Sequence, residues 1–140
     1  MYKVESLGLQ EAKAAIEAMI EEAMKEPRQP VAMAVVDNRG ALICYARMDG
    51  ANAFNDLMAT RKASTAALVG VDTAIFREAL PSLNMNLNDF GSGANITTVP
   101  GGVCVNRPGG GILGGIGVSG RLAQEDDRLA RVGLKALNLK

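Results

Sequence analysis

Ser119, Gly120 and Arg121 stand where backbone donors and a guanidinium could meet on one anion. Residues 109–120 read Gly-Gly-Gly-Ile-Leu-Gly-Gly-Ile-Gly-Val-Ser-Gly, and Arg-Leu-Ala-Gln-Glu-Asp-Asp-Arg-Leu-Ala follows in a helical pattern. Ile112, Leu113, Ile116 and Val118 favour a buried strand, while the glycines, Gly117 among them, keep side chains out of places where a backbone or ligand comes close. A strand that passes through Ser-Gly into a helix points several unpaired N–H groups at one spot, which suits an anion. Gly115-x-Gly117-x-x-Gly120 also spells a dinucleotide-binding pattern. That chemistry needs a second parallel strand after the helix, ending in an acidic residue about 20 positions on, and the sequence ends at Lys140 without one. The nucleotide reading is set aside.

Two other places carry charge. Arg47-Met48-Asp49-Gly50 ends a strand-like run at a glycine turn and presents a cation beside a carboxylate, as a surface ion pair or as part of a site. Arg61 and Lys62 interrupt an alanine-rich apolar pattern, where a buried cation needs a counter-charge or a route to solvent; they serve either a structural ion pair or a ligand. The sequence has no histidine, which excludes His-based triads and His-ligated zinc. Proton transfer would then fall to Asp49, Lys62 or Asp126, each needing burial or neighbours to bring its pKa towards neutrality. Glu17, Glu21 and Glu22 read as a solvated helix face rather than a cation site, and Cys44 and Cys104 as buried thiols rather than a disulfide or metal pair.

The elements that must position these groups follow from periodicity. A first helix starts at Ser6 or Gly8, buries Leu9, Ala12, Ile16, Met19, Ile20 and Ala23, and gives way before Pro27 and Pro30. Residues 31–36 and 41–47 form two strands joined by Asp37-Asn38-Arg39-Gly40. Residues 53–70 form a helix whose many alanines predict close packing and burial, and a short helix from residues 71–73 is closed by Pro81. Residues 82–95, rich in Asn and Gly and ending at Asn95, form one long loop suited to bordering a site. Residues 96–98, 103–105 and 112–118 read as three short strands, and a closing helix buries Leu122, Leu129, Val132, Leu134 or Ala136, and Leu137. Tight turns between consecutive strands make the sheet antiparallel, with helices as the covering layers of an α/β chain.

With 140 residues and 48% hydrophobic content, the chain suits one domain spanning 1–140. Fifteen basic and fifteen acidic residues cancel without blocks, so nucleic acid has no landing surface. No run of about 18 apolar residues and no charged-then-apolar leader is visible, which excludes a membrane partner and predicts a cytoplasmic location.

Val35-Val36-Asp37 with Gly40, Arg47-Met48-Asp49-Gly50-Ala51, Lys62-Ala63-Ser64-Thr65-Ala66, Pro100-Gly101-Gly102, Gly114-Gly115-Ile116-Gly117-Val118-Ser119-Gly120 and Gln124-Glu125-Asp126 occur in this order over nearly the full length. On these motifs the chain resembles the GlcG/HbpS family, also known as DUF336 or haem-degrading domains and related to the C-terminal domain of PduO-type proteins. The resemblance implies a profilin-like α/β (α+β) fold with a five-stranded antiparallel sheet, assembly into a homo-oligomer, and haem or a corrinoid as ligand in some members. Ligation in relatives can involve a histidine, so iron here would turn to Met, Tyr, Cys or an oxygen.

Three functions follow in order of preference. The first is a binding module for a tetrapyrrole or an anionic metabolite, with Arg47, Asp49, Arg61, Asn95, Gly117, Ser119, Gly120 and Arg121 around the ligand. The second is a small catabolic enzyme acting on an organic acid through a carboxylate base, and the third an assembly subunit whose glycines and alanines serve packing between protomers.

Overall fold

The computed structural model describes residues 1–92 and 94–140; Gly93, in the polar loop, lies outside the described residues. The order of elements is α1 (Leu9–Ala23), β1 (Ala32–Asp37), β2 (Leu42–Arg47), α2 (Ala53–Val69), α3 (Thr73–Ser82), a 3-10 turn (Leu87–Phe90), β3 (Gly102–Asn106), β4 (Ile112–Ser119) and α4 (Ala123–Ala136). Neighbouring strands are antiparallel, in the order β2-β1-β4-β3. The β1–β2 turn closes as its sequence suggests: Asp37 Oδ1 accepts the N–H groups of Arg39 (2.8 Å) and Ala41 (3.0 Å) while Gly40 takes φ +85°. Pro81 lies inside the last turn of α3 rather than ending it.

Among the described residues the sheet has four strands where five were expected. Residues 96–98 stay out of it: the central Thr97 N–H donates to Thr65 Oγ1 on α2 (3.0 Å), and Thr97 Oγ1 accepts the N–H of the following Val99 (3.2 Å). The outer edge of β3 is closed in the same manner by the start of α3. Gly102 N–H donates to Thr73 Oγ1 (3.0 Å) and Cys104 N–H to Asp72 Oδ1 (2.9 Å), so this edge offers few free groups to another strand.

Strand alternation sorts residues by the layer each must meet. Met33, Val35, Ile116 and Val118 cluster with Ala12, Ile16 and Met19 of α1 and Leu129 of α4. On the other face Ala32, Ala34 and Val36 meet Ala59, Ala63 and Ala67 of α2. The β4 residues beneath α2 are glycines. A Cβ on Gly115 would lie 2.2 Å from Ala63 O, and one on Gly117 2.1 Å from Ala59 O. The glycine run is therefore a bed for α2, and Gly117, expected beside a ligand, is spent on this contact. Burial of α2 is one-sided: Phe54, Leu57 and Leu68 remain 64%, 46% and 55% exposed, and Leu122, expected in the core, is 79% exposed.

Candidate functional site

Because α2 lies so close to β4, Lys62 on the next turn is carried into the interior, where its side chain is 2% exposed. Its Nζ donates to Val118 O at the end of β4 (2.9 Å) and to Asp126 Oδ2 in the first turns of α4 (3.2 Å). Asp126, 3% exposed, accepts the Arg121 N–H on its other oxygen (2.9 Å), and the Gly120 N–H also favours its ionised form. The backbone donors that the sequence aims at an external anion thus close on the protein's own carboxylate. The helix also begins later than Ser119-Gly120. Leu122 is still extended (φ −61°, ψ 150°), and α4 starts at Ala123.

Burial is the leading influence on both partners, pushing the Lys62 ammonium down and the Asp126 carboxyl up, with each partner's charge opposing the shift of the other. Both directions bring the pair nearer to exchanging a proton. Pro100-Gly101-Gly102 packs against it. At Gly101 (φ +121°) a Cβ would sit 2.8 Å from Val118 O and 3.0 Å from Lys62 Nζ, and one on Gly102 2.3 Å from Lys62 O. Larger residues at 101 or 102 would displace Lys62 or the segment facing it.

One side of the pair opens on a cleft of about 210 Å³ whose further lining includes Phe54, Asn55, Met58, Val99, Ser119 and Ala123. Ser119 Oγ lies 3.5 Å from Asn55 Oδ1 and can donate to it, which leaves the Asn55 amide N–H groups for another acceptor. Lys62 has three N–H donors and two protein acceptors, so one donor is unclaimed. Polar groups gather at the floor, and Phe54 and Val99 leave apolar surface near the mouth. A larger cleft of about 460 Å³ between α3 and α4 shares Ala123, but its Arg131 is already clamped by Asp72 (2.7 Å) and Asp127 (2.8 Å).

Of the residues singled out from sequence, Lys62, Asp126, Ser119, Gly120 and Arg121 border this cleft. The Arg121 guanidinium, however, is turned to main-chain carbonyls beyond the end of α1 and in its last turn: Gln29 O (2.8 Å), Ala23 O (2.9 Å) and Glu26 O (2.9 Å). Its role in the structure is to cap that end. Arg47 pairs with Asp56 (3.0 Å) rather than Asp49, and Asp56 also accepts the Tyr45 hydroxyl, which burial and this carboxylate push up to about 12. Asp49 is exposed, without a hydrogen bond or ion pair among the described residues. Arg61 donates to Asn95 Oδ1 (3.3 Å), away from the residues lining the cleft. Glu22 is taken by Lys25 (2.8 Å) and Arg128 (3.0 Å), and both cysteines are free thiols. Asn55 and Met58 escaped the sequence reading, although their spacing of seven and four residues before Lys62 puts all three on one helical face.

A model of the family described as "Haem degrading protein HbpS-like" matches residues 7–135. The chain belongs to the HbpS-like family. Among solved structures it is similar to Klebsiella pneumoniae ORFY, a DUF336 protein, at TM-score 0.86 and 24% identity over 99% of this chain and 94% of that one. HbpS is similar at TM-score 0.84 and 30% identity, over 98% of this chain and 94% of that one. PduOC, solved as a haem complex, is similar at TM-score 0.82 and 25% identity, over 96% and 97% of the two chains. No curated protein matches the sequence. Among the described residues of this HbpS-like chain, no helix is long and apolar enough to cross a membrane.

Proposed function

We propose that the protein binds a small molecule whose polar end enters the cleft against Lys62, Ser119 and Asn55 while its apolar body lies over Phe54 and Val99. The observation that carries this is the unclaimed Lys62 donor. A buried ion pair built only for stability gains little, since burial costs about as much as the attraction returns, whereas one at the floor of a cleft has a donor to offer. The haem complex of PduOC makes haem the first ligand to try, and a corrinoid or an anionic metabolite the next.

A tetrapyrrole fits this site in part. The cleft, at about 210 Å³, falls below the roughly 300–1,000 Å³ of pockets that enclose a drug-sized ligand, so it admits an acid arm but not the macrocycle. The sequence has no histidine, and Met58 is the soft donor lining the cleft. Titration with haemin and with cobalamin, followed by visible absorption, tests the proposal. A saturable change that Asn55→Ala weakens about five- to tenfold, the worth of roughly one hydrogen bond, supports it. No saturable change with either compound, together with no protection of the cleft by small carboxylates, overturns it.

A second reading is favoured by one observation: the environment lowers Lys62 and raises Asp126, as an acid–base pair in a small catabolic enzyme would require. Assembly is compatible with either. The exposed apolar side chains of α2, Phe54, Leu57 and Leu68, suit a homo-oligomer, which size-exclusion mass would reveal.

A further inference from the structure

Of the six lysines in the sequence, Lys3, Lys13, Lys25, Lys135 and Lys140 are exposed, and Lys62 alone is buried. It is also the one beside a carboxylate that is itself only 3% exposed, at the floor of a cleft. We propose that Lys62 forms an imine with a small carbonyl compound, a 2-oxo acid or an aldehyde, admitted by this cleft, with Asp126 moving the proton. The inference rests on the ligand-binding reading only in needing the cleft open to small molecules.

The reaction balances within the pair. Asp126 Oδ2, 3.2 Å from Nζ, takes a proton from the ammonium and frees the amine, which attacks the carbonyl carbon. A nitrogen proton passes to the former carbonyl oxygen, giving a carbinolamine. Asp126 returns its proton to that hydroxyl, the carbon–oxygen bond breaks, and water leaves. The product is a protonated imine, so ammonium plus carbonyl becomes iminium plus water. The positive charge stays where the Asp126 carboxylate already balances it, and the interior never holds an unpaired ion. Burial supplies the other requirement by holding the amine below the ordinary lysine range. The Asn55 amide N–H groups, oriented by the Ser119 hydroxyl, are placed to receive the carboxylate of a 2-oxo acid, and about 210 Å³ limits the substrate to a few heavy atoms.

The test is reductive trapping on the unmodified protein. It is incubated near neutral pH with pyruvate or with propanal plus cyanoborohydride, and the adducts are mapped by peptide mass. Lys62 should be labelled at least about tenfold faster than exposed Lys25, and pyruvate should outpace propanal at Lys62. Labelling confined to the surface lysines overturns the proposal. A parallel spectrum of ¹³C-methyl methionine separates the two readings, because Met58 lines the cleft. A Met58 shift with pyruvate but no Lys62 adduct refutes the imine and leaves ligand binding standing. The absence of both signals refutes the imine, and the ligand-binding reading is then decided by the haemin and cobalamin titrations.

Discussion

Removing one member of the Lys62–Asp126 pair should cost far more than removing both. In Lys62→Met the Asp126 carboxylate keeps its backbone donors but loses its counter-charge, and in Asp126→Leu the ammonium keeps only Val118 O. With side chains 2% and 3% exposed, water cannot compensate either ion, so each single change should cost about 3–5 kcal/mol. That is a large part of the roughly 5–15 kcal/mol that holds a domain of this kind together. The double variant buries two apolar side chains of similar length and should return to within about 1 kcal/mol of wild type, or exceed it. Urea denaturation of the four proteins, with unchanged m-values, gives the coupling directly. Two single changes costing under about 1 kcal/mol each, and adding in the double, would refute the picture of a dry, mutually dependent pair.

Other positions make separate claims. Gly117→Ala puts a methyl group against Ala59 O and should destabilise by at least about 1–3 kcal/mol, whereas Gly133→Ala meets the flexible Met19 side chain and should cost less; thermal melts compare them. Arg121→Ala strips the cap beyond α1 and should cost about 1.5–3 kcal/mol, read by far-ultraviolet circular dichroism. Tyr45, raised from 10.0 to about 12, holds its proton more tightly when folded, so its share of stability is complete below pH 10 and is lost as pH rises through 12; absorbance at alkaline pH follows its ionisation. Burial raises Cys104 to about 11, so iodoacetamide near pH 8 should modify Cys44, which is less buried, well before Cys104.

Much of the fold can be read from residue pattern. The near-continuous apolar run of residues 31–36, the second β-type run and the turn Asp37-Asn38-Arg39-Gly40 between them mark the β1–β2 hairpin, and three-four spacing marks α1, α2 and α4. Residues 96–98 mislead because β-branched residues look alike whether their N–H groups join a ladder or, as at Thr97, donate to the Thr65 side chain. For the site, Lys62 is visible as a cation needing a counter-charge and Asp126 as one of three candidate proton-transfer groups. That they partner each other is not, because it depends on how near α2 lies to β4, and Gly115 and Gly117 set that distance only in three dimensions. The same blindness hides where Arg121 points: a guanidinium beside a strand–helix junction looks like an anion clamp until Ala23 at the end of α1, with Glu26 and Gln29 beyond it, supplies three carbonyls for it.

Ligand affinity in the charge-free double variant, Lys62→Met with Asp126→Leu, bears most directly on whether this pair exists for the cleft. With folding preserved, haemin, cobalamin and pyruvate titrated into it and into wild type should show binding to wild type and a loss of at least about tenfold in the variant. Equal affinity in the two proteins would mean that the pair serves the fold alone and that the ligand, if there is one, binds elsewhere.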